Sequence, residues 1–399
     1  MSKITRCLHI FARNASTASS SSVEKTALYN FHVEKGGKVV NFGGYLLPVQ
    51  YSDLSIIASH VHTRKHSSIF DVSHMLQTYV RGKDAVACFE SICTADIKGL
   101  APNSGTLTVF TNDMGNILDD LIVSKVNDDL LYVVSNAAMK QQDMEIMSAA
   151  VSKFVGDKRD VSIEFLSPAD HSLIALQGPS SASALKTITN VDLEKLYFME
   201  TIVAEVAGVS DCRITRCGYT GEDGYEISVP SEKVRHLTET LLGVDNVRMA
   251  GLGARDSLRL EAGLCLYGSD IDSNTSPVEA ALSWLVSKRR RGEANFPGAT
   301  KIVDQLKNGV TRRRIGIRMT EGPPARAGVG IYHNDELAGK ITSGCPSPSL
   351  GGNIAMGYIS ESLKKPGNKI QLKIRDKFYP ADVTKMPFTP ANYYTKPKN

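Results

Sequence analysis

Two adjacent carboxylates, Asp119 and Asp120, interrupt the apolar run Ile117-Leu118-Asp119-Asp120-Leu121-Ile122-Val123. Strand alternation puts Asp119 with Ile117, Leu121 and Val123, and Asp120 with Leu118 and Ile122, so each acid shares a face with large apolar side chains. Burying a carboxylate without a partner is costly. The pair therefore predicts either an acid lining a cleft, where it could move protons, or a strand edge at which both acids reach water. A third acid, Glu226, follows the glycine-dense turn 217–224 on a strand whose other face carries Tyr225, Ile227 and Val229. By itself it reads as a solvent-facing charge. Arg255 and Arg259 stand four apart within a helical stripe over 252–262 and share one face. Arg259 alone reads as a solvated helix charge.

Other chemistries are weaker. Gly251-Leu252-Gly253-Ala254-Arg255-Asp256 lacks the third glycine of a dinucleotide fingerprint and no strand-turn-helix unit surrounds it. Cys345, in Ser343-Gly344-Cys345-Pro346-Ser347, has no glycine-flanked elbow and no evident histidine partner, so it reads as structural. The seven cysteines are scattered without a C-x-x-C, which argues against both a disulfide framework and a standard zinc site. No metal is expected.

Mixed, irregularly ordered elements must position these groups. Strands are predicted at Leu76–Val80, Thr106–Phe110, Ile117–Val126 and Leu130–Ser135, and helices near 83–91, 137–154, 180–187 and 231–242. The stretch Val39–Tyr51 is too rich in Gly and Pro for one regular element. Gly263 suits the end of the helix at 252–262. A second helix is expected to open on the capping box Ser276-Pro277-Val278-Glu279 and to run through Trp284, the single tryptophan, into Lys288–Arg291. Six short runs, Arg314–Met319, Gly330–His333, Lys340–Ser343, Ile354–Ile359, Lys369–Ile374 and Tyr379–Thr384, read as strands, so the part from about Gly309 is expected to be an all-β barrel or sandwich. The fold class is α+β.

At 399 residues, 42% hydrophobic and 22% charged, the chain has the composition of a soluble globular protein of two or three domains. Its net charge of +4 is compatible with an anionic ligand or an acidic partner and does not argue for bulk nucleic-acid binding. No apolar run approaches membrane-spanning length. Residues 1–23 contain Lys3, Arg6 and Arg13, many Ser and Ala and no acid, the composition of a mitochondrial transit peptide.

Seven ordered blocks carry a resemblance: FHVEKGGKVVNFGGYLLPVQY, HTRKHSSIFDVSHM, NILDDLIVSK, RCGYTGEDGYEISVP, GARDSLRLEAGLCLYGSDID, TSGCPSPSLGGNIAMGYI and KMPFTPANYY. Together, from about Leu28 to Tyr394, the chain resembles the glycine cleavage T-protein family of mitochondrial aminomethyltransferases. It departs mildly at Gly44-Tyr45, where the family often has Gly-Trp. The resemblance implies a multi-domain cloverleaf around a central folate channel, with an aminomethyltransferase region over 24–295, built of two interleaved α+β subdomains, and a barrel domain over 309–399. It implies tetrahydrofolate as co-substrate, no flavin, and the lipoylated H-protein as partner, with looser contacts to the other glycine cleavage enzymes, in the mitochondrial matrix. Carried over by position, Asp120 matches the catalytic carboxylate, Glu226, Arg255 and Tyr393 match folate-binding residues, and Met75, Leu107 and Trp284 look like channel walls. Lys288–Arg291 and Arg312–Arg314 are candidates to meet an acidic H-protein. The folate domain of flavin dehydrogenases and folate-binding iron-sulfur assembly factors share the superfamily, but the full set of blocks favours the transferase.

Overall fold

The computed structural model describes residues 23–397. The expected transit peptide lies outside them, apart from Val23. The architecture is α+β with a closed C-terminal barrel. A five-stranded sheet runs in the order Ser104–Thr111, Ile117–Asn127, Leu130–Ser135, Leu76–Arg81, Ser162–Phe165. A six-stranded sheet contains Thr201–Val206, Val209–Thr215, Gly224–Pro230, His171–Gln177, Ser67–Asp71 and Val247–Met249. The stretch expected to be irregular is a hairpin, Gly37–Phe42 against Tyr45–Tyr51, joined by Gly43-Gly44. Its register shift next to Val39, which faces Pro48, shows how a strand accommodates a proline.

The barrel closes in the order Arg312–Met319, Asn353–Ser360, Glu336–Pro346, Gly330–His333, Lys369–Ile374, Lys377–Thr384. Strict alternation explains its core. In Lys369–Ile374, Ile370, Leu372 and Ile374 are buried while Lys369, Gln371 and Lys373 face water.

The helix Leu252–Glu261 is the pivot of the molecule. A Cβ at Gly251 would stand 2.6 Å from the Val49 carbonyl carbon, and one at Gly253 would stand 2.6 Å from Ile56 Cδ1. The two glycines of GLGAR thus serve close packing of the helix start, not phosphate binding. At the other end Glu261, 0% exposed, accepts from His60 Nε2 at 3.1 Å, Arg64 Nη2 at 3.0 Å, Ser347 Oγ at 2.6 Å and Ser349 Oγ at 2.7 Å. One carboxylate thereby joins this helix, the helix Ile56–Lys65 and a barrel loop. Arg259 is not the solvated charge expected. It is 2% exposed, paired with Asp256 at 2.9 Å and Asp270 at 2.5 Å, and donates to Ser343 of the barrel.

The helix expected to run from Ser276 does not form. Its capping box is made, with Ser276 N to Glu279 Oε2 at 2.9 Å and Glu279 N to Ser276 Oγ at 3.1 Å. Propagation fails because the carbonyls that should accept the next turn are taken by the barrel. Val278 O accepts Arg313 Nη1, Glu279 O accepts the Arg314 amide, and Ala280 O accepts Arg314 Nε. Ala281 then turns left-handed at φ 57°. In place of one long helix, a 3-10 turn at Ser283–Leu285, which carries Trp284, and the short helix Lys288–Glu293 follow.

Beyond the barrel the chain returns to the six-stranded sheet. Asn392 N donates to Gly221 O, Asn392 Nδ2 to Glu222 Oε2 and Phe198 N to Tyr394 O, while Tyr393 stacks on Phe198 with ring centres 4.1 Å apart.

Burial alone would raise the Glu261 pKa, but the His60 hydrogen bond and charge and the serine hydroxyls outweigh it and hold the group at about 2, against 4.5 ordinarily. A depressed carboxylate stabilises the fold above its unfolded pKa, and that contribution is lost as pH falls through the folded value. Glu261→Gln is expected to destabilise the protein by about 3–5 kcal/mol at neutral pH, and to flatten the dependence of melting temperature on pH between about 4.5 and 2. An unchanged acid slope in that window would refute the assignment.

Candidate functional site

The two sheets, the helix Leu252–Glu261 and the barrel enclose a cavity of about 3040 Å³. Strand register sorts the acidic pair. Asp120 faces Val109, and Ile122 faces Leu107 on the neighbouring strand, so Asp120, Ile122 and Leu107 stand on one face and all line the cavity. Asp119 projects to the other face, where it is 0% exposed among Phe110, Leu121 and Val123. The first of the two sequence alternatives holds for Asp120, which lines the cavity, while Asp119 is buried and neither stands at a water-filled strand edge.

Asp120 accepts from Asn136 Nδ2 at 3.1 Å. Burial raises its pKa, the Asn136 hydrogen bond resists, and the charges of Asp143 and Asp270 add to the rise, which leaves the carboxyl at about 6. That value suits a group that takes and returns protons near neutral pH.

Glu226 also departs from the simplest expectation. Tyr225, Ile227 and Val229 are 0% exposed in the core beneath the sheet. Glu226 points the opposite way, into the cavity and not into bulk water. Burial raises its pKa, against the nearby Arg255 charge. Arg255 lies over the Tyr219 ring, 4.6 Å from its centre, and forms no ion pair among the described residues. Burial lowers its pKa, and Tyr219 and Glu226 resist. A guanidinium held from water without a counterion is poised for an anion brought by a ligand.

Met75, Leu107, Trp284 and Tyr393 complete the set of sequence-predicted residues that the fold brings to this one cavity. Trp284 is 62% exposed, which excludes a core role and puts it at the rim. Sequence reasoning missed Asn136, Tyr219 and His74, which also line the cavity. No periodicity marks them, since each is turn or strand-end chemistry that gains meaning only from its neighbours. His74 is 2% exposed, with no partner at Nδ1 among the described residues. Burial, helped by the charge of Arg255, lowers its pKa to about 4, so it is neutral at pH 7.

Most members of the two basic clusters are bound within the fold, while Lys288 is exposed. Arg290 is 0% exposed and donates to Glu90 O and Cys93 O, Arg289 pairs with Glu90, Asp96 and Glu293, and Arg291 binds Val286 O and Ser283 O. Arg312 pairs with Glu279, Arg313 with Glu361, and Arg314 is buried. Neighbouring elements engage most of these side chains, and an isolated sequence run carries no signal of that. The six cysteines among the described residues are free and buried, and no His, Cys, Asp and Glu grouping there could hold a metal.

Residues 28–290 match the GCVT N-terminal domain and residues 312–389 match the glycine cleavage T-protein C-terminal barrel domain. The chain belongs to the glycine cleavage T-protein family. It is 53% identical to the mitochondrial aminomethyltransferase of Homo sapiens and 52% identical to that of Mus musculus, in each case over 94% of this chain and 92% of the relative. The crystal structure of the glycine cleavage system aminomethyltransferase T from Bartonella henselae superposes with a TM-score of 0.87 at 35% identity, covering 94% of this chain and 100% of the other. The activity is that of a mitochondrial aminomethyltransferase of the glycine cleavage system.

An unpaired guanidinium in the cavity does not serve the fold. Arg255→Met is expected to leave the melting temperature of the ligand-free protein unchanged or higher, because it removes a desolvated charge and keeps an apolar stem of similar length. A loss of more than about 1 kcal/mol in denaturant titration would instead make Arg255 a structural residue.

Proposed function

We propose that this cavity binds tetrahydrofolate and admits the aminomethyl-loaded lipoyl arm of the H-protein, and that Asp120 handles the protons of the transfer. The observation that carries this reading is the separation of charges in one cavity: an acid poised near neutrality, a second, half-buried acid and an unpaired guanidinium, with aromatic faces at Tyr219, Phe198 and Tyr393. A reduced pterin offers an N–H-rich, guanidine-like edge that a carboxylate such as Glu226 would accept from twice. The glutamyl end offers a carboxylate, which Arg255 would grip with its fork. The rings would lie against Met75, Leu107, Tyr393 and, at the rim, Trp284.

In the reaction a methylene carbon leaves sulfur and its own amino group and becomes bonded to N5 and N10 of the folate. The two N–H protons displaced from the folate are balanced by one on ammonia and one on the dihydrolipoyl sulfur. Asp120 would accept a proton as a folate nitrogen attacks the aminomethyl carbon and return it to a leaving group. Its Oδ1 is already held by Asn136, which fixes the carboxyl plane. The boundaries 24–295 and 309–399, the matrix as the compartment and loose association with the other glycine cleavage enzymes belong to the same proposal.

Asp120→Asn nearly preserves shape and removes the ionisable group. Turnover is expected to drop roughly 100-fold to 10,000-fold with folate binding intact. A base must be ionised, so kcat of the parent enzyme is expected to fall as pH drops through about 6. Near-normal turnover of the variant with saturating loaded H-protein would end the assignment. Arg255→Ala is expected to weaken tetrahydrofolate binding by roughly 1.5–3 kcal/mol while changing kcat at saturation far less. Calorimetric titration that finds an unchanged dissociation constant would remove Arg255 from the ligand's contacts.

A further inference from the structure

Behind Asp120 lies a second acid that the reaction as described does not use. Asp143, in the first turn of the helix Lys140–Gly156, is 0% exposed, and it meets the Ser135 hydroxyl and the Asp119 carboxyl but no cation among the described residues. It stands within hydrogen-bonding reach of Asp119. Gln142 Nε2 pins the start of this helix to Leu118 O at 3.0 Å, so the closeness is built in. Both oxygens of Asp119 are engaged by Asn136, Oδ2 by the backbone amide at 3.1 Å and Oδ1 by Nδ2 at 2.9 Å. The same Nδ2 reaches Asp120 O at 2.9 Å and Asp120 Oδ1 at 3.1 Å.

We propose that Asp119 and Asp143 hold one proton between them and that this bridge, acting through Asn136, orients the Asp120 carboxyl. Asp143 is then a positioning residue, an assignment that rests on the role given to Asp120 above. Two ionised carboxylates in contact and out of water repel strongly. Facing the pair are Asp120 on the strand of Asp119, Ser135 and Asn136 at the end of the next, and Tyr267 from the loop after the helix Leu252–Glu261, while Asp270 of that loop acts on Asp120. Neither carboxyl takes part in an ion pair among the described residues. A single shared proton removes the repulsion and supplies a donor between the two carboxyls. Burial agrees, pushing Asp119 well above the ordinary carboxylate range and Asp143 to about 6.

Two variants test the bridge in the full-length protein. The Asp143→Asn amide donates to Asp119 at every pH. A raised folded-state pKa contributes stability below the unfolded value of 3.8 that is lost as pH rises through the folded value. The melting temperature of Asp143→Asn minus that of the parent is therefore expected to grow between pH 4 and 8, by about 2 °C or more. Its kcat at pH 7 should stay within about threefold of the parent, whereas Asp143→Leu, with no donor, should lose about tenfold or more with little change in the KM for tetrahydrofolate. A melting difference that is flat across this range overturns the shared proton. Equal losses in the two variants overturn the bridge, and parent-like kcat in Asp143→Leu overturns the positioning role. Should Asp143→Leu not fold, the melting profile and kcat of Asp143→Asn still decide. If Asp120→Asn alone kept its activity, the role of Asp120 would fall while the melting profile continued to report on the bridge.

Discussion

The buried Glu261 carboxylate is the joint on which the cavity depends. It takes donors from the helix Ile56–Lys65 and from the barrel loop at Ser347 and Ser349, while its backbone oxygen accepts the amides of Phe388 and Thr389 beyond the barrel. Such a carboxylate cannot release one partner cheaply, because what remains is a charge without water. The ends of these elements are therefore fixed relative to one another. Arg255 rides on the same helix, so its place in the cavity is set by contacts two turns away. Arg259, between them, ties that helix to Asp270 and Ser343 in the same manner.

The floor of the cavity has the opposite economy. Glu226 and Arg255 sense one another's charge without pairing, and Asp120 keeps a pKa far from an ordinary aspartate. Each would be more stable neutral, paired or in water. The arginines around it are by contrast well paired, such as Arg216 with Asp223 at 2.5 Å and Arg313 with Glu361 at 3.0 Å. Poorly satisfied groups surrounded by well satisfied ones mark where a ligand completes the electrostatics.

Alternation made much of this legible in advance. The strand Leu130–Ser135 and the barrel strands Gly330–His333 and Lys369–Ile374 have the bounds read from pattern alone, because a period of two needs no partner to be seen. Elements whose outcome depends on distant groups were not legible. The capping box at Ser276 is locally correct and forms, yet Arg313 and Arg314 take the carbonyls that would extend the helix. The run Lys288–Arg291 looks like surface charge until Glu90, Asp96 and Cys93 are brought against it. The acidic pattern split likewise: periodicity separated Asp119 from Asp120, whereas only the resemblance singled out Asp120, and neither pointed to Asn136 or Asp143.

The return of the chain after the barrel also bears on what holds the cavity shut. Tyr393 stacks on Phe198 and both line the cavity, so this part of the wall exists only where the segment after the barrel has docked beside the six-stranded sheet. That segment belongs to no helix or strand, so the wall it makes can part without disturbing either sheet or the barrel.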